Sequence, residues 1–122
     1  MTSNPMTSPS DHNPLDTFVI HGRVFVEGTN APLPGLRVEA FDHDILPDDP
    51  LGHTMTDTDG RFEIRYSLAH FIDIFDLRPD VYLKVRSPEG KLLLDDHRHE
   101  HKNAERDEVF EVAIPQDVVG GG

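Results

Sequence analysis

The chain has 122 residues, enough for about one domain, with 23 acidic against 11 basic residues and a formal net charge of −12. That balance opposes nucleic-acid phosphates and anionic lipid, both of which are recognised through Lys and Arg. With no cysteine there is neither a disulfide framework nor a thiolate metal site.

Residues 1–16 are Ser, Thr, Asn, Pro and Asp around little that could be buried, and are expected to form a disordered arm. They contain neither a basic nor an apolar leader region, and no run in the chain approaches the roughly 18 apolar residues of a membrane span. The expectation is a soluble protein, cytoplasmic or exported without a standard signal peptide, with no membrane insertion.

From Thr17 the pattern has period two. Phe18, Ile20, Gly22, Val24 and Val26 share one face, and Val19, His21, Arg23, Phe25 and Glu27 the other, which predicts a half-buried strand. GTNAPLPG (28–35) is turn chemistry. A second strand follows with Leu36, Val38 and Ala40 inward and Arg37, Glu39 and Phe41 outward, stopping in the loop DHDILPDDP (42–50). A third, more polar strand covers about 51–56. The turn Asp57 to Gly60 then leads into a fourth strand with Phe62, Ile64 and Tyr66 opposite Arg61, Glu63 and Arg65.

In 67–77 the period lengthens, with Leu68, Phe71, Ile72 and Phe75 spaced for one short helix. Val81, Leu83 and Val85 alternate with Tyr82, Lys84 and Arg86 as a fifth strand, SPEG (87–90) turns the chain, and Lys91 to Leu94 return as a sixth. After a charged loop (95–107), Phe110, Val112 and Ile114 alternate with Val109, Glu111 and Ala113 as a seventh. The sum is an all-β, seven-stranded antiparallel Greek-key-type sandwich over residues 17–115 with one short helix, and a flexible tail at 116–122.

The stretches GRVFVEGTNAPLPGLRVEAFDHD, LGHTMTDTDGRFEIRYS and RPDVYLKVRSPEGKLL resemble the transthyretin-like (prealbumin-like) sandwich of carboxypeptidase regulatory-like domains, as carried by large bacterial surface and toxin-complex proteins. The motifs, G-x-V at Gly22 to Val24, the pattern from Pro32 to Phe41 and T-D-x-x-G-x-F at Thr56 to Phe62, specify fold rather than chemistry. Intradiol dioxygenases share that sandwich and hold ferric iron with two tyrosines and two histidines. Their R-P-x-H-x-H motif stands here as Arg78-Pro79-Asp80-Val81-Tyr82-Leu83, without either histidine. Hydroxyisourate hydrolases finish in a Y-R-G-S type tail where this chain reads DVVGGG.

Two constellations could carry chemistry. His97, His99 and His101, flanked by Asp95, Asp96 and Glu100, would line one face of an extended backbone and suit zinc, nickel or copper. A solvated His-rich loop is the plainer expectation. Asp42, Asp44, Asp48, Asp49, Asp57 and Asp59 crowd loops expected at one end of the sandwich, but the EF-hand template fails, with Met55 and Tyr66 where carboxylates are required. No G-x-S-x-G or phosphate-binding loop occurs. No cofactor is expected beyond a possible divalent metal. The leading expectation is a non-catalytic module that binds protein, as a homo-oligomer or within a larger bacterial assembly. Its docking surface would be formed by the outward Phe25, Phe41 and Val109. The alternative is a metal-binding protein or metal-dependent enzyme built on the His97–His101 loop.

Overall fold

A computed structural model describes residues 17–43, 49–67, 80–102 and 104–120. The seven strands are β1 (Thr17–Val26), β2 (Arg37–Asp42), β3 (Asp49–Met55), β4 (Arg61–Ser67), β5 (Val81–Arg86), β6 (Leu92–Asp95) and β7 (Asp107–Ile114). They form two sheets, β4-β1-β7 and β3-β2-β5-β6. This is the all-β sandwich expected from the alternation. Of the helix expected at 67–77, Ser67 is instead the last residue of β4 and the rest lies outside the described residues, as does the arm at 1–16.

Alternation does the packing. β4 is buried at every second residue, Phe62, Ile64 and Tyr66, and exposed at those between. Phe18, Ile20 and Val24 of β1 and Phe110, Val112 and Ile114 of β7 complete that inner layer. Val38, Ala40, Val81, Leu83 and Val85 supply the facing one, so the core is closed by aliphatic and phenyl groups from both sheets.

The turn between β3 and β4 is set by side chains. Asp57 Oδ1 accepts the amides of Asp59 (2.8 Å) and Arg61 (2.9 Å), and Gly60 takes φ 76°. Thr56, buried beside it, accepts the Leu36 amide (2.9 Å) and donates to the Leu33 carbonyl (2.7 Å), locking the segment before β2 onto the end of β3.

Among the described residues all strand pairings are antiparallel except one, for β1 and β7 run parallel in an unbroken register from Val19↔Asp107 to Val26↔Ile114. The first and last strands are free to align this way because no tight turn joins them. In the segment expected as a loose tail, Gln116–Gly120 form a five-residue helix, α1, whose Val118 and Val119 pack against the core. The aspartates expected at one end of the sandwich are divided: Asp42 and Asp49 lie at one end of β3, Asp57 and Asp59 beyond the other, separated by roughly 20 Å of strand.

Candidate functional site

The three residues expected to form one docking surface occupy two opposite faces. Phe25 and Val109 stand on the outer face of β4-β1-β7, and Phe41 on the outer face of β3-β2-β5-β6. The two aromatics are half-buried. Phe25 lies under the Arg23 guanidinium, 4.5 Å from the ring centre, and Phe41 stacks on Tyr82 at 5.5 Å with the Lys84 ammonium 4.9 Å above it. Val109 alone of the three is largely open, at 53% exposure.

Around Val109 the outer face is laced with charge pairs. His21 Nε2 meets Asp107 Oδ1 at 2.7 Å, Arg23 Nε lies 3.5 Å from Glu111, and Arg65 donates to Glu63 at 2.7 Å. On the other sheet, Arg37 and Arg86 both donate to Glu39, at 2.8 and 3.0 Å. Burial alone would push the Glu39 carboxyl up, but the two guanidinium bonds and charges outweigh it and hold it below its ordinary 4.5.

The histidine triplet does not align. His97–His99 is a 3-10 turn closed by His99 N–H to Asp96 O (3.1 Å) and Glu100 N–H to His97 O (3.2 Å). At three residues per turn, side chains two apart splay roughly 120° around the axis instead of sharing the face an extended strand would give them. Each imidazole then meets its own carboxylate: His97 with Asp95 (2.5 Å), His99 with Asp96 (2.6 Å) and His101 with Glu108 (2.6 Å). Among the described residues no group of three His, Asp or Glu side chains is placed to hold a metal ion.

Periodicity gave no sign of what this segment does structurally. His101 exchanges backbone hydrogen bonds with Val81 in both directions (2.9 and 2.7 Å) and stacks on Phe110 with centroids 3.7 Å apart, so His101 straps β5 to β7 across the sandwich. His97 stacks on Tyr82 at 3.8 Å, and His43 sits edge-on to both rings while bonding Glu100 at 2.7 Å. Tyr82, an outward position by alternation, is thereby only 1% exposed.

Two buried donors beside Phe18 are unmet among the described residues. Tyr66 stacks on Phe18 at 5.2 Å, and the Arg106 guanidinium lies 5.1 Å from the Phe18 ring centre. Tyr66 Oη and Arg106 Nη1 are buried without a hydrogen-bond partner among the described residues. Burial pushes the Tyr66 phenol far up, and the charges of Glu108 and Asp42 push it further. An apolar groove of about 350 Å³ opens elsewhere on the sandwich, lined by Leu33, Leu36, Leu93, Val118 and Val119 with Lys91 and Glu89.

No family model matches the sequence, and no curated protein matches it. Among solved structures the chain is similar to a 9R-lipoxygenase from Cyanothece PCC8801, at 23% identity and TM-score 0.60 over 94% of this chain. It spans only 18% of the lipoxygenase's length. It is also similar to an alternative pilotin from the type II secretion system of Vibrio cholerae, at 16% identity and TM-score 0.52, covering 81% of this chain and 96% of the pilotin. Hydroxyquinol 1,2-dioxygenase from Pseudomonas putida DLL-E4 overlaps at 12% identity and TM-score 0.47, over 82% of this chain and 56% of the enzyme. At these identities the first two likenesses show the fold alone, that of an all-β sandwich module. Among the described residues no helix is long and apolar enough to cross a membrane.

Proposed function

We propose that this chain is a non-catalytic sandwich of the transthyretin-like type that works without a cofactor by binding other protein chains, as a component or accessory of a larger bacterial assembly or as a homo-oligomer. One observation carries the reading. The large apolar side chains left exposed among the described residues, Met55, Leu92 and Val109, all lie on edge strands, β3, β6 and β7. An edge presents unpaired backbone groups, and exposed aliphatic side chains beside them favour pairing with another chain.

The comparisons lend support of a coarser kind. A sandwich of this shape makes up nearly all of a pilotin from a secretion system, and a small part of a much longer lipoxygenase. Both settings suit a module that acts by being joined to something larger.

The test is affinity capture from the source organism's lysate together with light scattering, comparing wild type with Met55→Lys/Leu92→Lys/Val109→Lys. The expected result is a partner, or self-association, that the wild type retains and the triple variant loses while keeping its melting temperature. A monomeric wild type whose captured set is indistinguishable from the variant's would overturn the proposal.

A further inference from the structure

The four sheet edges are not equally guarded. β3 begins Asp49-Pro50 and its pairing with β2 is broken by a register shift between Ala40 and Phe41. β6 has four residues and its pairing with β5 shifts between Val85 and Arg86. β4 sets a charge at three of its four exposed positions, Arg61, Glu63 and Arg65. Proline, shortness, bulges and regular charge are the usual means of keeping an edge from recruiting another strand. β7 has eight residues, DEVFEVAI, an unbroken register against β1, and neither proline nor lysine.

The backbone groups of that edge can be assigned. Val19 N–H donates to Arg106 O at 2.7 Å and Glu27 N–H to Ile114 O at 2.9 Å, so the even-numbered residues of β7 turn their amides and carbonyls toward β1. In a parallel ladder, alternate residues face opposite neighbours. The N–H and C=O groups of Asp107, Val109, Glu111 and Ala113 therefore point away from the sheet, and no described strand pairs with them.

The side chains beside those groups select the partner. Asp107 and Glu111, 72% and 59% exposed, stand either side of Val109, held from the β1 side by His21 and Arg23. A second copy pairing antiparallel about Val109 would set Asp107 opposite Glu111, acid against acid, in a chain already carrying a net charge of −12. An extended segment with a Lys or Arg two residues to each side of an apolar residue would satisfy both carboxylates and cover Val109.

We infer that the free edge of β7 accepts a strand from a basic, extended segment of a partner protein, enlarging the β4-β1-β7 sheet. The inference rests on the protein-binding reading above and names the place and the chemistry.

The probe is a blocked, fluorescein-labelled peptide Thr-Lys-Thr-Val-Thr-Lys-Thr, which sets a Lys two residues to each side of the central Val, with Thr-Glu-Thr-Val-Thr-Glu-Thr as control. It is read by fluorescence polarisation and by amide hydrogen exchange in the ¹⁵N-labelled protein. On adding the Lys peptide, exchange should slow at Val109, Glu111 and Ala113, and the Glu peptide should bind roughly tenfold more weakly or worse. Val109→Pro removes one outward N–H without touching the β1 ladder, and Val109→Lys leaves the backbone whole should the proline variant fail to fold. Binding to either should drop by about tenfold.

Unchanged exchange at those three amides with the peptide in large excess, or equal binding of the Glu peptide, would overturn the inference. So would a dimer that protects the same amides without peptide. A native partner kept by Val109→Lys but lost by Met55→Lys/Leu92→Lys would remove this edge as the site and leave the protein-binding reading standing.

Discussion

Gly22 on β1 lies against the Phe110 backbone of β7 so closely that a Cβ built on the glycine would fall 1.8 Å from the Phe110 carbonyl oxygen. The contact is backbone against backbone and cannot be relieved by a rotamer change. Gly22→Ala should therefore cost about 3 kcal/mol or more, seen as a lower urea midpoint with an unchanged slope. A loss under about 0.5 kcal/mol, the range of ordinary surface substitutions, would show that the strands part easily here.

Thr56 offers a test of a single buried hydroxyl. Thr56→Val keeps the shape but leaves the Leu36 amide and the Leu33 carbonyl without their partner, at a cost of about 2 kcal/mol. Thr56→Ser retains both bonds and should recover most of that loss. Thermal melts of the two variants should separate them clearly.

Glu39 gives a pH dependence with a definite sign. Its carboxyl is held below 4.5 in the folded chain by Arg37 and Arg86, so its contribution is present above that value and lost as pH falls through the lower folded value. Glu39→Gln should destabilise by about 1 kcal/mol at pH 7, with the gap from wild type closing on acidification below 4.5. Urea titrations across pH 2.5 to 7 would settle it, a pH-independent gap being the contrary result.

Tyr66 should behave in the opposite way to most buried tyrosines. Its hydroxyl has no hydrogen-bond partner among the described residues, so Tyr66→Phe should remove a desolvated polar group at little packing cost and be neutral or stabilising by up to about 1 kcal/mol. Ultraviolet titration should show one of the two tyrosines ionising only as the protein unfolds in alkali. A Tyr66→Phe loss above about 1 kcal/mol would mean that the hydroxyl has a partner in solution.

Local alternation was enough to place the strands, because a face that must be buried repeats every two residues whatever the topology. It also separated Phe62, Ile64 and Tyr66 from Arg61, Glu63 and Arg65 correctly. What alternation cannot register is a covering that arrives from elsewhere in the chain. Tyr82 reads as solvent-facing, yet His97 and Phe41 lie over it, and Phe41 is shielded by the same stack.

The histidine spacing implied a shared face only under the assumption of an extended backbone, and the i to i+3 bonds beginning at Asp96 and His97 curl that backbone instead. Phe25 and Val109 share a sheet face as their alternation allows, but nothing in the sequence states that β2 belongs to the other sheet, which is why Phe41 cannot join them. The edge character of β7 was likewise invisible, since it depends on which strand lies beside β1 and not on the eight residues themselves.

The parallel alignment of the first and last strands has a consequence for biogenesis. During synthesis β1 emerges early, but its partner on one side is the seventh strand, so the layer it belongs to stays a two-stranded fragment until nearly the whole sandwich has been translated. Pairings so distant in the chain are slow to form, and the apolar face of β1 must be kept from wrong neighbours in the meantime. Nascent chains stalled before residue 107 should bind cellular chaperones that the finished protein releases.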